Sequence, residues 1–261
     1  MRNFRQRLKG LFSYRSTIWG MAVKQLRSKY SGSLLGVWWA VITPVVLALS
    51  INFIFTKVFR APTENFTIFV LSGILAWLFF AGTIGEACNC FVNNRPLLRQ
   101  CVFPKEIIPI SCVVSNFLNF LIGFLFLLPL FIISEIRVIR VLPVLFLVLI
   151  FNLCFLIGLG TILATLNVFF RDLTHFLPVG LMIWFWLTPL FYKLEMLSFP
   201  YRWICLFNPM TYYVIPYQNI LFEAKFPPIL TLATSFLIAV GFMFIGYSFF
   251  LAKEANLSKQ I

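Results

Sequence analysis

The sequence predicts an all-α integral membrane protein of six transmembrane helices, with an N-terminal amphipathic interface helix and re-entrant helices before the last span. Three observations predict it. First, 61% of the 261 residues are hydrophobic and only 11% are charged, more apolar surface than a globule of this length can cover with a polar skin. Second, several apolar runs exceed the roughly 17–25 residues needed to cross a hydrocarbon core about 30 Å thick. Third, the net charge of +13 is gathered at the chain start and between those runs, the way a membrane protein marks its cytoplasmic side. That distribution excludes nucleic acid as a partner, because a nucleic-acid-binding chain carries its charge on a soluble face.

The elements follow in order. Residues 1–30 form a cytoplasmic amphipathic interface segment. Phe4, Leu8, Leu11 and Phe12 share a face at helical spacing, with Arg2, Arg5, Arg7 and Lys9 around them. Such a helix lies in the headgroup layer of membrane lipids; a frayed basic tail is the alternative. Residues 31–252 form the six-span domain. Its spans are expected near 33–57, 67–91, 107–133, 142–169, 174–192 and 229–251. The first opens on Gly36-Val37-Trp38-Trp39, and tryptophans at a membrane entry fit an aromatic belt.

Residues 193–227 differ. Pro200, Pro209, Pro216, Pro227 and Pro228 are interleaved with aromatics. The stretch is too apolar for an ordinary loop and too broken for one span. It reads as short helices dipping in from one side, allowed only where protein or water covers the freed backbone groups. Residues 253–261 are left as a short tail. Six spans put both termini on one side. With fourteen Lys and Arg on that side against seven on the other, that side is cytoplasmic. No cleavable signal peptide is expected, since the basic start is too long and no small-residue cleavage site follows.

The missing chemistry is equally informative. No Gly-Lys dipeptide occurs, so no P-loop can cradle ATP phosphates. There is no G-x-S-x-G elbow, and the chain has one Asp and one His. Cys88-x-Cys90 lacks zinc-knuckle spacing, and the six cysteines read as small apolar helix residues. Neither catalytic residues nor a metal or cofactor is expected on this chain. Glu86 is the only ionisable residue well inside a span. It is expected to be paired or to face an aqueous lumen near the cytoplasmic side. The result is a membrane conduit whose engine sits on a partner. Residues 93–103, polar, basic and framed by two spans, are the docking candidate, with Asn94, Arg95, Leu98 and Arg99 presented to that partner. An ordinary basic loop is the plain alternative. Aromatics reach 18%. Trp38, Trp77, Trp184, Phe191 and Tyr192 are candidates to stack on the C–H faces of sugars, although packing against lipid and other helices must account for most aromatics.

Five stretches then carry a resemblance. They are Lys29-Tyr30 with Ser33-Leu34-Leu35-Gly36-Val37-Trp38-Trp39 and Pro44; Leu71-Ser72-Gly73-Ile74-Leu75-Ala76-Trp77-Leu78-Phe79-Phe80 on to Asn93; Phe103-Pro104-Lys105-Glu106-Ile107-Ile108-Pro109; Leu166-Asn167-Val168-Phe169-Phe170-Arg171-Asp172-Leu173; and Asn208-Pro209. In this order they resemble the membrane subunit of type-2 ABC polysaccharide exporters, the Wzm/TagG-like family, over about residues 30–250. The resemblance implies a homodimeric permease in the bacterial inner membrane, working with two copies of a cytoplasmic ABC ATPase that binds ATP and magnesium. It implies a coupling helix at 93–101 and re-entrant helices at 193–225 gating the periplasmic exit. It also implies a polyprenyl-diphosphate-linked polysaccharide as cargo. The Leu166–Leu173 stretch is nearer the O-antigen branch than the capsule one; capsule and teichoic-acid cargo are the alternatives. For that cargo, Arg27, Lys29 and Tyr30 are the candidates to meet the diphosphate, at about 1 kcal/mol for each basic residue near the surface. Glu86, Arg171 and Asp172 are candidates for a cytoplasmic gate or for structural roles. Two rivals remain. A membrane enzyme acting on polyprenyl-linked sugars lacks the polar cluster that would hold a metal–diphosphate. A proton-coupled flippase would rest on Glu86 alone.

Overall fold

The computed structural model describes residues 12–58, 65–100 and 103–260. Among these the regular structure is entirely helical. Helix α1 (Arg15–Tyr30) is followed by a 3-10 turn (Gly36–Trp38) that leads into α2 (Trp39–Phe53), which ends in a π turn (Ile54–Val58). Then come α3 (Phe66–Asn93), α4 (Arg95–Gln100), α5 (Ile107–Ser134), α6 (Val138–Phe169) and α7 (Leu173–Leu187). A 3-10 turn (Leu194–Met196), α8 (Tyr201–Phe207), α9 (Thr211–Leu221) and α10 (Ile229–Gln260) complete the chain. The expected apolar face of Phe4, Leu8 and Leu11 lies outside the described residues.

Among the described residues, five segments are long and apolar enough to cross a membrane: Gly36–Lys57, Phe66–Asn93, Ile107–Ser134, Val138–Phe169 and Ile229–Leu257. The expected fifth span, 174–192, is shorter as a helix. α7 has 15 residues, about 22 Å at 1.5 Å per residue, against a core of about 30 Å. It stops because Pro189 forces the preceding Thr188 into an extended conformation, and the Thr188 hydroxyl donates back to the Trp184 carbonyl. The last span is longer than expected. α10 continues to Gln260, so residues 253–260 are helical and continuous with that span.

α3 is the centre of the bundle. It is buried along most of its length from Phe66 to Phe91, and α2, α5, α6, α7 and α9 pack on it. α6 and α10 meet backbone to backbone. A Cβ on Gly158 would lie 2.3 Å from the Phe242 carbonyl oxygen, and one on Gly246 would lie 2.3 Å from that of Gly158. Small residues let helices approach this closely in a membrane, where dispersion contacts replace the hydrophobic drive. Gly123 does the same for α2 against α5, under Ala40.

The two ends of the bundle differ. At one end Phe91, Ile108, Val168, Phe250 and Leu257 form a small apolar cluster, with Met21 of α1 and Leu98 of α4 packed on it. α1, α4 and the end of α10 therefore share that end. At the other, Phe55 meets Phe66 and Phe191, and Phe69 meets Phe222. α8 and α9 belong to this second end. With 7 and 11 residues, they are too short to cross the core. α9 still reaches inward. Tyr213 stacks on Phe155, about halfway along α6, with ring centroids 5.1 Å apart, and its hydroxyl donates to the Ser235 carbonyl. The excursion is closed at its mouth by Lys193 Nζ and Glu223 Oε1, 2.8 Å apart. Burial alone would raise the Glu223 carboxyl, but Lys193, Lys225 and Asn219 together hold it below its ordinary value.

Gly158→Ala is expected to lower the thermal midpoint of the solubilised protein, at a cost of about 1–3 kcal/mol for forcing two backbones apart. Gly241→Ala, whose added Cβ meets nothing within 4 Å, is expected to leave it unchanged or raise it slightly. A tryptophan-fluorescence melt compares the two.

Candidate functional site

Gln25 and Lys29 lie four residues apart on one face of α1, and Tyr30 follows at its end; this spacing lets them meet a single neighbour. That neighbour is α5. The Gln25 amide donates to Ser111 Oγ at 3.4 Å, Lys29 Nζ donates to Asn116 Oδ1 at 3.0 Å, and the Tyr30 hydroxyl donates to Asn119 Oδ1. Lys29 also pairs with Glu86 of α3, Nζ to Oε1 at 2.6 Å. Asn116 closes the triangle by donating from Nδ2 to Glu86 Oε2 at 2.7 Å. Glu86 is thus paired. The Lys29 and Glu86 side chains are 28% and 41% exposed, so the pair is not sealed inside the bundle. Burial, and then the charge of Glu86, push the Tyr30 phenol above its usual range.

A cavity lies on each side of this triangle. One, of about 490 Å³, is lined by Tyr30, Trp39, Thr43, Phe79, Asn119 and Phe120 among others. The second, of about 500 Å³, lies on the α4 side and is lined mainly by polar residues, with Gln25, Ser28, Asn89, Asn93 and Asn94 in its walls. Lys29 is the one residue lining both. Arg27 is exposed on α1 and lines neither.

Below the polar cavity the chain turns into α4. The Asn94 amide donates to the Cys90 carbonyl at 2.8 Å and closes the end of α3. Leu98 packs on the apolar cluster, and Arg99 is exposed. Arg95 is half-buried, and its Nε and Nη2 have no hydrogen-bond partner among the described residues.

At the same end, Asn167 ties three helices. Its amide donates to the Cys88 carbonyl at 3.0 Å and to Asn89 Oδ1 at 3.1 Å. The Thr174 hydroxyl bridges Asn89 and Asn167. Arg171 and Asp172, between α6 and α7, are exposed. Asp172 makes no side-chain cap; its carbonyl accepts from the backbone of His175 and Phe176.

The candidate channel aromatics separate. Trp38 is 56% exposed, beside Phe126. Trp77 and Phe191 do not line an open surface: they are 5% and 7% exposed. Trp77 packs on Phe80 and Phe185, and Phe191 on Phe55, Phe185, Trp186 and Tyr192. Trp184 and Tyr192 are half-buried. Trp184 donates to Asn208 Oδ1 at 2.6 Å, and the Tyr192 hydroxyl donates to the Trp186 carbonyl at 3.3 Å.

The sequence model of the ABC-2 type transporter family matches residues 16–222, from α1 through α9. The chain belongs to that family. Among its relatives, the O-antigen export system permease protein RfbA of Klebsiella pneumoniae is 31% identical over 203 residues, 76% of each chain. The protein of the same name from Myxococcus xanthus is 29% identical over 263 residues, 96% of this chain and 97% of its own.

In this ABC-2 transporter chain, Asn116 and Asn119 of α5 and Thr174 of α7 are site residues that no sequence motif singles out. Asn116 and Asn119 sit in an apolar run at i, i+3, a spacing that puts both on one helix face. An amide inside a predicted span signals a partner, because lipid offers none. Among the described residues no three His, Cys, Asp or Glu side chains gather into a metal-holding group.

Asn167→Ala is expected to destabilise the bundle by about 1–3 kcal/mol, by leaving the Cys88 carbonyl and the Asn89 and Thr174 side chains without their shared partner. A lower melting midpoint together with faster proteolysis around residue 170 would check it.

Proposed function

We propose that this chain is the permease subunit of an ABC exporter that carries a polyprenyl-diphosphate-linked O-antigen polysaccharide across the bacterial inner membrane. ATP hydrolysis on a separate subunit drives it. The observation that carries this reading is the likeness to the O-antigen export permease of Myxococcus xanthus over 96% of the chain.

The permease works as a homodimer with two cytoplasmic ATPases, which bind the ATP and magnesium. Both termini face the cytoplasm. The lipid diphosphate meets the basic end of α1, at Arg27, Lys29 and Tyr30. The polar cavity beside Lys29 supports this, because a charged headgroup needs a hydrated entry. The glycan then follows the dimer interface, where Trp38 is free to stack on sugar rings. α4 receives the push of the ATPase. Its Arg95 has two buried guanidinium nitrogens without a hydrogen-bond partner among the described residues, and an acceptor on the partner would complete them. α8 and α9 form the re-entrant gate at the far side. Gln218, which donates from α9 to the Pro189 carbonyl, links that gate to the end of α7.

Two measurements test this. Deleting the gene is expected to leave full-length lipid-linked polymer inside the cytoplasmic membrane and none at the cell surface. Accumulation of short precursors would point to a synthase instead. Arg95→Glu with Arg99→Glu is expected to cut surface polymer about tenfold or more at equal protein level, since misplaced charge at an interface costs several kcal/mol.

A further inference from the structure

We propose that Glu86 is a resident stand-in for phosphate: it occupies Lys29 while the site is empty, and a phosphate-bearing lipid headgroup displaces it on entry. This rests on the reading above that the cargo enters as a lipid-linked diphosphate.

The geometry carries the exchange. Lys29 lines both cavities, so an anion held in either one lies beside its ammonium. The ammonium is already neutralised by Glu86 at 2.6 Å. A partly exposed pair of this kind is far weaker than a fully buried one. The carboxylate therefore competes without locking the site. The groups around it suit phosphate oxygens as well as a carboxylate. Asn116 Nδ2 already donates to an anion there, and Ser33 brings a hydroxyl to the wall of the other cavity. A displaced Glu86 is not stranded, because it borders the polar cavity with Asn89, Asn93 and Asn94.

Exchange also changes what α1 holds. The Lys29–Glu86 pair joins α1 to α3, while Gln25–Ser111 and Tyr30–Asn119 join it to α5. An arriving phosphate thus releases α1 from α3 and leaves it on α5. α3 runs from Glu86 directly through Asn93 and Asn94 into α4. The occupancy of the headgroup site is in this way passed to the segment that faces the ATPase.

The test measures binding of farnesyl diphosphate, with farnesol and inorganic pyrophosphate as separate arms, to the full chain in lipid nanodiscs. Glu86→Gln is expected to tighten farnesyl diphosphate binding about fivefold, the factor that corresponds to removing a competitor worth about 1 kcal/mol. Lys29→Gln is expected to abolish it in either background, and farnesol is expected not to bind. Pyrophosphate is expected to follow the same order at weaker affinity; tightening for pyrophosphate alone would make this a free-phosphate site and overturn the lipid assignment. Should Glu86→Gln lose its fold, Glu86→Asp, whose shorter carboxylate withdraws from Lys29, is expected to show a smaller gain. Binding unchanged or weakened in a folded Glu86 variant overturns the inference. The exporter reading stands or falls separately, on where polymer accumulates in the deletion strain.

Discussion

An apolar side chain gains little by leaving lipid for the side of another helix. This bundle is therefore held where backbones touch and where polar side chains find each other. Gly158 and Gly246 supply the first kind of contact between α6 and α10. Asn167, Asn208 and the Lys29–Glu86–Asn116 triangle supply the second. The buried Asn116, Asn167 and Asn208 would otherwise be orphaned in a medium that offers no hydrogen bonds. The placement of the cavities, of α4 and of the inward-reaching α9 depends on these few fastenings. The large aromatic core fills the space between them and does not by itself choose the arrangement.

The fold class and most helix positions were legible in the sequence, because an apolar run longer than a bilayer is thick has few alternatives. The errors came at the ends. α7 stops at Leu187 although the apolar run continues, because Pro189 sets the conformation of the residue before it. α10 outlasts the apolar run. Hydropathy marks where lipid ends, whereas Ala252, Lys253, Glu254, Ala255 and Leu257 are good helix formers on either side of that boundary.

The site was legible in pieces. Lys29 and Glu86 each stood out, one as a basic residue before a span and the other as a lone acid within one. That they are each other's partner depends on how α1 lies across α3 and α5, which no local pattern encodes. Asn116, which binds both, looked like one polar residue in a long apolar run. Trp77 and Phe191 were candidates for an open channel and are core residues instead. In a chain this rich in aromatics, spacing alone does not separate a ring that faces a passage from one that faces another ring.

The Lys193–Glu223 contact fastens the two ends of the 193–223 excursion to each other. Between those two ends the chain runs back into the bundle through α9, whose Tyr213 and Tyr217 are fully buried. The segment is therefore pinned at both ends and at its centre, where Tyr213 stacks on Phe155.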